Sequence, residues 1–90
     1  MPTYVICYDS QNDENDAFGE LMREWNCVRP LPTLWFGRLN SDALRVREIL
    51  RTVVRDNNGL FICEIKPSSD WATLKMHYTV SDWMRDNIGA

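Results

Sequence analysis

The sequence predicts an α+β domain in which two helices lie on one face of an antiparallel sheet, and three observations predict it. Residues 3–8 form an apolar run with aliphatic and aromatic side chains on both faces, as a central strand has. Residues 33–39 and 60–65 have the same β-branched and aromatic character. Between these runs lie two stretches whose apolar residues recur every three to four positions, the period of an amphipathic helix.

Each element follows from local chemistry. The first strand, 3–8, ends in Asp9. A first helix is expected over 13–26, with Ala17, Phe18, Leu21, Met22 and Trp25 on its apolar face. Asp13, Glu14 and Asp16 suit its positive N-terminus, and Asn26 begins its end. Pro30 and Pro32 do not both fit a central strand, so this stretch bends or lies at an edge, with a short piece at 27–31 and a firmer strand at 33–39. Asn40 or Ser41 caps a second helix that runs to about Arg55, with Val46, Ile49, Leu50, Val53 and Val54 buried. Asp56, Asn57, Asn58 and Gly59 make a turn, and 60–65 is the next strand. The chain breaks over 66–70, and 71–76 is expected as a short edge strand. Thr79 or Ser81 caps a last helix carrying Val80, Trp83, Met84 and Ile88, which stops at Gly89.

The resulting order is strand, helix, strand, strand, helix, strand and a helical tail. That is the split βαβ, or ferredoxin-like, arrangement. It implies a single domain over 1–90, with a core at about 3–65 and a tail at 66–90. With both helices on one face, the other face is bare, and Tyr4, Tyr8, Trp35 or Phe61 is expected to populate it. A bare aromatic face favours a homodimer. The tail from Trp71 onward is expected to complete a partner's sheet or to cap that face.

Bulk composition sets the remaining bounds. Ninety residues make one small domain with a thin core, which association would reinforce. No apolar run approaches the ~18 residues of a membrane span, and no signal peptide is evident. The three cysteines, Cys7, Cys27 and Cys63, lack metal-type spacing, and two sit in strand-like runs, which points to the reducing cytoplasm. The net charge of −3 hides an asymmetry: residues 29–55 hold six arginines against Asp42 and Glu48. A basic middle on an acidic chain argues against general coating of nucleic acid, but it permits a local phosphate-binding face. Arginine suits bidentate phosphate contacts.

The candidate site starts at Asp9. A carboxylate at a strand tip either holds a hard cation or caps the following turn. Ser10 either caps the helix or bonds a phosphate. Arg47, Arg51 and Arg55 are four apart and make one helical stripe, which with Arg38 either contacts a nucleic-acid backbone or solvates an outer face. His77 has no partner at motif spacing and reads as a surface residue. Trp25 and Trp83 read as core, and Trp71 as the more exposed tryptophan. No phosphate loop, zinc spacing or Ser/His/Asp pattern is present.

The segment Val5-Ile6-Cys7-Tyr8-Asp9-Ser10, its acidic helix, and Thr33-Leu34-Trp35-Phe36-Gly37-Arg38-Leu39-Asn40 followed by a helix resemble the small CRISPR spacer-acquisition protein, the dimeric companion of the integrase. The resemblance covers roughly 3–65. It extends to proteins of the same fold, the VapD-type toxin ribonucleases and the SinR-like bacterial proteins. Asp70-Trp71-Ala72 and Asp82-Trp83-Met84 resemble the SinR-like branch. The resemblance implies a ferredoxin-like homodimer in which two copies of Asp9 face each other and bind Mg²⁺ or Mn²⁺ in members that cut DNA or RNA. It also implies that Thr33, Leu34 and Trp35 stand in the family's hydroxyl-aliphatic-aromatic strand. Some members with the aspartate act only as scaffolds, which leaves a non-catalytic module for nucleic acid or a protein partner as the alternative. Two features depart from the pattern: the first helix is acidic, and a helix rather than a docking strand ends the chain.

Overall fold

The computed structural model describes residues 1–9, 17–54 and 58–89. Its elements are β1 (Thr3–Tyr8), α1 (Ala17–Glu24), β2 (Val28–Leu31), β3 (Leu34–Arg38), α2 (Ala43–Leu50), β4 (Leu60–Ile65) and α3 (Tyr78–Asn87). The four strands form one antiparallel sheet in the order β2-β3-β1-β4. β1 therefore lies inside the sheet, as its two-sided apolar run requires. α1 joins β1 to β2, which are parallel and separated by β3. α2 joins β3 to β4, which are parallel and separated by β1.

β2 is an edge strand. Pro30 sits in it, and the pairing between Val28 and Leu31 is irregular, because proline has no N–H to give to a ladder. β4 is the opposite edge and pairs with β1 without interruption from Thr3↔Ile65 to Tyr8↔Leu60.

The main core forms on one face of the sheet. Tyr4, Ile6 and Tyr8 alternate inward from β1 and meet Trp35 of β3, Phe18 and Met22 of α1, and Val46 and Leu50 of α2. Each fully buried large aliphatic side chain contributes roughly 1.5–3 kcal/mol. Phe18 stacks on Tyr8 with ring centroids 4.3 Å apart. Tyr4 is buried to its ring, and its hydroxyl donates to the Ser41 carbonyl at 2.5 Å. Burial raises its pKa, with the Glu64 and Asp42 carboxylates adding to the rise. Tyr4, Tyr8 and Trp35 were expected on the bare face and belong to this one instead. Their positions alternate with Val5, Cys7 and Phe36, and the helices cover the aromatic parity.

The opposite face carries Val5, Cys7, Leu34, Phe36, Phe61, Cys63 and Ile65 by the same alternation. α3 folds back over one end of it. Val80, Met84 and Ile88 form a second core with Phe36, Ile65, Trp71, Met76 and Trp83, and Trp83 stacks on Phe36 at 6.0 Å. The tail thus caps part of this face within its own chain. Trp71 is half-buried, and its indole N–H donates to the Gly89 carbonyl at 2.8 Å, so it is not an exposed stacking platform.

Several boundaries differ from expectation. Asp42, rather than Asn40 or Ser41, caps α2, accepting from the Arg45 N–H at 2.8 Å. His77 precedes Thr79 as the cap of α3, its ring nitrogen accepting from the Thr79 N–H at 3.3 Å. Residues 71–76 are not a strand: Lys75 has φ of 59°, which ends extended backbone. The expected helix start at 13–16 lies outside the described residues. α2 ends at Leu50 rather than near Arg55, and residues 51–54 are turn and bend, so Val53 and Val54 pack on the core from beyond the helix. Among the described residues, no helix is long and apolar enough to cross a membrane.

Candidate functional site

Asp9 follows the last paired residue of β1. Its backbone N–H donates to the Gly59 carbonyl at 3.1 Å, and the Tyr8 N–H donates to the Thr33 carbonyl at 2.9 Å. Asp9 and Thr33 therefore share one end of the sheet, with Gly59 on the other flank. Asn58 reinforces this end by donating to the Tyr8 hydroxyl at 3.2 Å. Asp9 is exposed. Ser10, and the turn that Asp9 was expected to cap, lie outside the described residues.

Asp9 also sits at the rim of the partly uncovered face. It is two residues beyond Cys7, and Cys7 is flanked by Leu34 and Phe61. α3 covers the far end of that face, at Phe36 and Ile65. The end nearest Asp9 is open, and there Phe61 is 60% and Leu31 45% exposed. Cys63 is exposed beside them. This apolar end is the largest departure from a closed core on the sheet. The sequence reading named Phe61 for it but not Leu31, because the edge position of Leu31 depends on which strand β2 joins.

Arg38 and Asp9 stand at opposite ends of the sheet. Arg38 pairs with Thr3 at the opposite end of the sheet, six residues along β1 and roughly 20 Å away at the ~3.3 Å rise of a strand. Arg47 and Arg51 lie on exposed α2 surface and share Glu48, at 2.8 and 3.4 Å. The Arg47 hydrogen bond holds the Glu48 carboxyl below its usual range, aided by the nearby Arg51 charge. The expected cationic stripe is therefore partly neutralised by an acid within it. Arg55 lies outside the described residues. Arg29 stands over the Trp35 ring at 5.1 Å and donates to the Pro32 carbonyl, which ties it to the β2–β3 connection.

A hard divalent cation takes oxygen ligands, so a carboxylate is a suitable donor. Among the described residues, no group of three or more His, Cys, Asp and Glu could hold a metal ion. Asp9, exposed at the strand end, offers one such oxygen donor. All three cysteines are free, and burial pushes the Cys27 thiol up to about 11, so it is protonated at neutral pH.

A different feature lies at the Arg38 end. Trp25 follows α1 directly and lines a cavity of about 350 Å³ with Arg38, Leu39, Asn40, Val46 and Ile49. Trp25 packs against the first core, as its place on the apolar stripe of the helix predicts, and is half-buried. The chain turns out of the helix there through Asn26, whose φ is 59°, with the Asn26 N–H donating to the Arg23 carbonyl and the Cys27 N–H to the Met22 carbonyl. The asparagine after Trp25 was the sequence feature that marked the exit.

Comparison of the chain with protein-family models, with curated proteins and with solved structures finds no match.

Proposed function

We propose that this chain works as a homodimer of the ferredoxin-like, spacer-acquisition type, joined through the open end of its second sheet face, with one Asp9 from each copy near the two-fold axis. The observation that carries the reading is the apolar, uncovered end of that face, with Phe61 60% exposed and Asp9 at its rim. The strand order and the two helix-linked parallel pairs support the ferredoxin-like reading.

In this dimer the Asp9 carboxylates hold one Mg²⁺ or Mn²⁺, and the activity is cleavage of a phosphodiester in DNA or RNA. A bound cation of this kind polarises a phosphoryl oxygen and lowers the pKa of its water. The chain supplies the oxygen donors and fixes them through the Asp9 and Tyr8 backbone bonds to Gly59 and Thr33. Arg47 and Arg51, close enough to share Glu48, contact one stretch of the backbone, and Arg38 another. Without a cation, facing carboxylates repel. The dimer is then weakened by the same groups that form the site.

A second reading is a non-catalytic dimeric module for nucleic acid or a protein partner. Glu48 favours it, because it occupies both Arg47 and Arg51.

Sedimentation equilibrium and a nuclease panel separate the two. In EDTA, Asp9→Asn is expected to dimerise more tightly than wild type. Mn²⁺ should tighten only the wild type, and metal-dependent cutting of labelled DNA or RNA should occur with wild type alone. Dimers that ignore both Mn²⁺ and the substitution, with no cutting, would leave the module reading. A monomer at all concentrations would sink both.

A further inference from the structure

The geometry points to a second site, at the opposite end of the molecule from Asp9, that binds a small planar aromatic anion bearing one carboxylate. The cavity there has a volume of about 350 Å³, within the ~300–1,000 Å³ range of small-molecule pockets. Its walls are Trp25, Leu39, Val46 and Ile49, which suit an apolar ring. Its polar groups are few, as in sites that orient a ligand by one or two contacts. Arg38 supplies the cation and Asn40 an amide.

Two observations select an anion. Arg38 is exposed, and its side chain makes no hydrogen bond or ion pair among the described residues. The carboxylates nearest this end of the sheet are otherwise engaged: Asp42 accepts from the Arg45 N–H, and Glu64 pairs with Lys66 at 3.1 Å. A guanidinium offers a planar fork of donors that matches a carboxylate in two places. Trp25 is half-buried, so one part of its indole is held by the core while the rest faces the cavity. An aromatic wall beside an unpaired guanidinium recognises a flat ring with a charged edge better than an aliphatic chain. A second cavity of about 320 Å³ shares Trp25 and Arg38, with Trp83 and Asn87 on its far side, so a larger ring system has room to extend toward α3. This site is independent of dimerisation, since it lies at the other end of the sheet.

The test is a titration of isotope-labelled protein followed by NMR, with 2-naphthoate as the probe and its neutral carboxamide as the control. The expected result is saturable shifts at the Trp25 indole N–H and the Val46 and Ile49 methyl groups, with the carboxylate binding about tenfold or more tightly than the amide. Arg38→Met keeps the apolar stem and removes the fork. It should abolish the preference for the carboxylate while leaving the spectrum folded. Equal binding of acid and amide to wild type, shifts centred on Phe61 and Leu31, or no saturation would each overturn the proposal.

Discussion

At the scale of single residues, the tightest constraint lies between Gly37 and Cys27. A Cβ on Gly37 would run into the Cys27 sulfur, and Cys27 is itself buried. Gly37→Ala is expected to cost about 1–3 kcal/mol, the usual penalty for overpacking. Adding Cys27→Ala should restore part of it, because the blocking atom is gone. Urea unfolding of the two single variants and the double variant gives the coupling. The same cysteine sets an alkaline limit. Its folded pKa, about 11, lies above the ordinary 9.0. A neutral thiol is favoured in the fold, so its contribution is complete below the unfolded value and is lost as pH rises toward the folded one. Thiol labelling of the native protein should accordingly be fastest at exposed Cys63 and slowest at Cys27. Labelling of Cys27 ahead of Cys63 would contradict the burial. Gly37 and Cys27 could not be linked from sequence, because only the β2–β3 pairing brings them together.

At the scale of elements, local rules located most boundaries, and tertiary contacts moved the rest. β1 and β4 match their apolar runs, since a strand with neighbours has little freedom in where it ends. The α2 cap shifted because Tyr4, a residue of β1, takes the Ser41 carbonyl, while Asp42 has the carboxylate placed to accept from Arg45. The end of α2 tightens through bonds from Thr52 to Ile49 and from Val53 to Leu50. α3 is the element whose role the sequence left open between a partner's sheet and its own. Its hold on the sheet rests on Val80, Met84 and Ile88. Met84→Ala, at a residue only 4% exposed, is expected to cost about 2–5 kcal/mol. Hydrogen exchange should then quicken throughout α3 while the β1 amides, which belong to the first core, stay protected. Equal loss of protection in both would mean that the two cores unfold as one unit.

At the scale of the whole molecule, the sheet has one closed face and one that is only half closed. α1 and α2 seal the first, whereas α3 alone lies on the second and covers only the end at Phe36 and Ile65. The residual patch around Phe61 and Leu31 is the property most readily tested. Phe61→Glu should shift sedimentation toward monomer at a given concentration, with little effect on stability, because Phe61 is 60% exposed in the single chain. Unchanged association would remove this face from the interface. The molecule is also polar in the sense of having two chemically different ends. Asp9, Thr33 and Gly59 lie at one end, Arg38 and the Trp25 cavity at the other. A ligand engaging both would have to span the length of β1.

The sequence by itself determined the order of the four strands and three helices, because apolar period, proline placement and turn residues act over a few positions, but it also suggested a strand at 71–76 that does not form. It singled out Asp9 and, through the resemblance, Thr33, which the sheet places at the same end, opposite Tyr8. Only the tertiary structure decided which parity of β1 the helices cover, so Tyr4 and Tyr8 became core and Cys7 and Phe61 did not. Alternation along a strand says that two faces exist, not which one a distant helix will bury. It also decided where Arg38 stands, at the end of the sheet opposite Asp9, whereas Arg47 and Arg51 share Glu48 as their spacing along α2 allows.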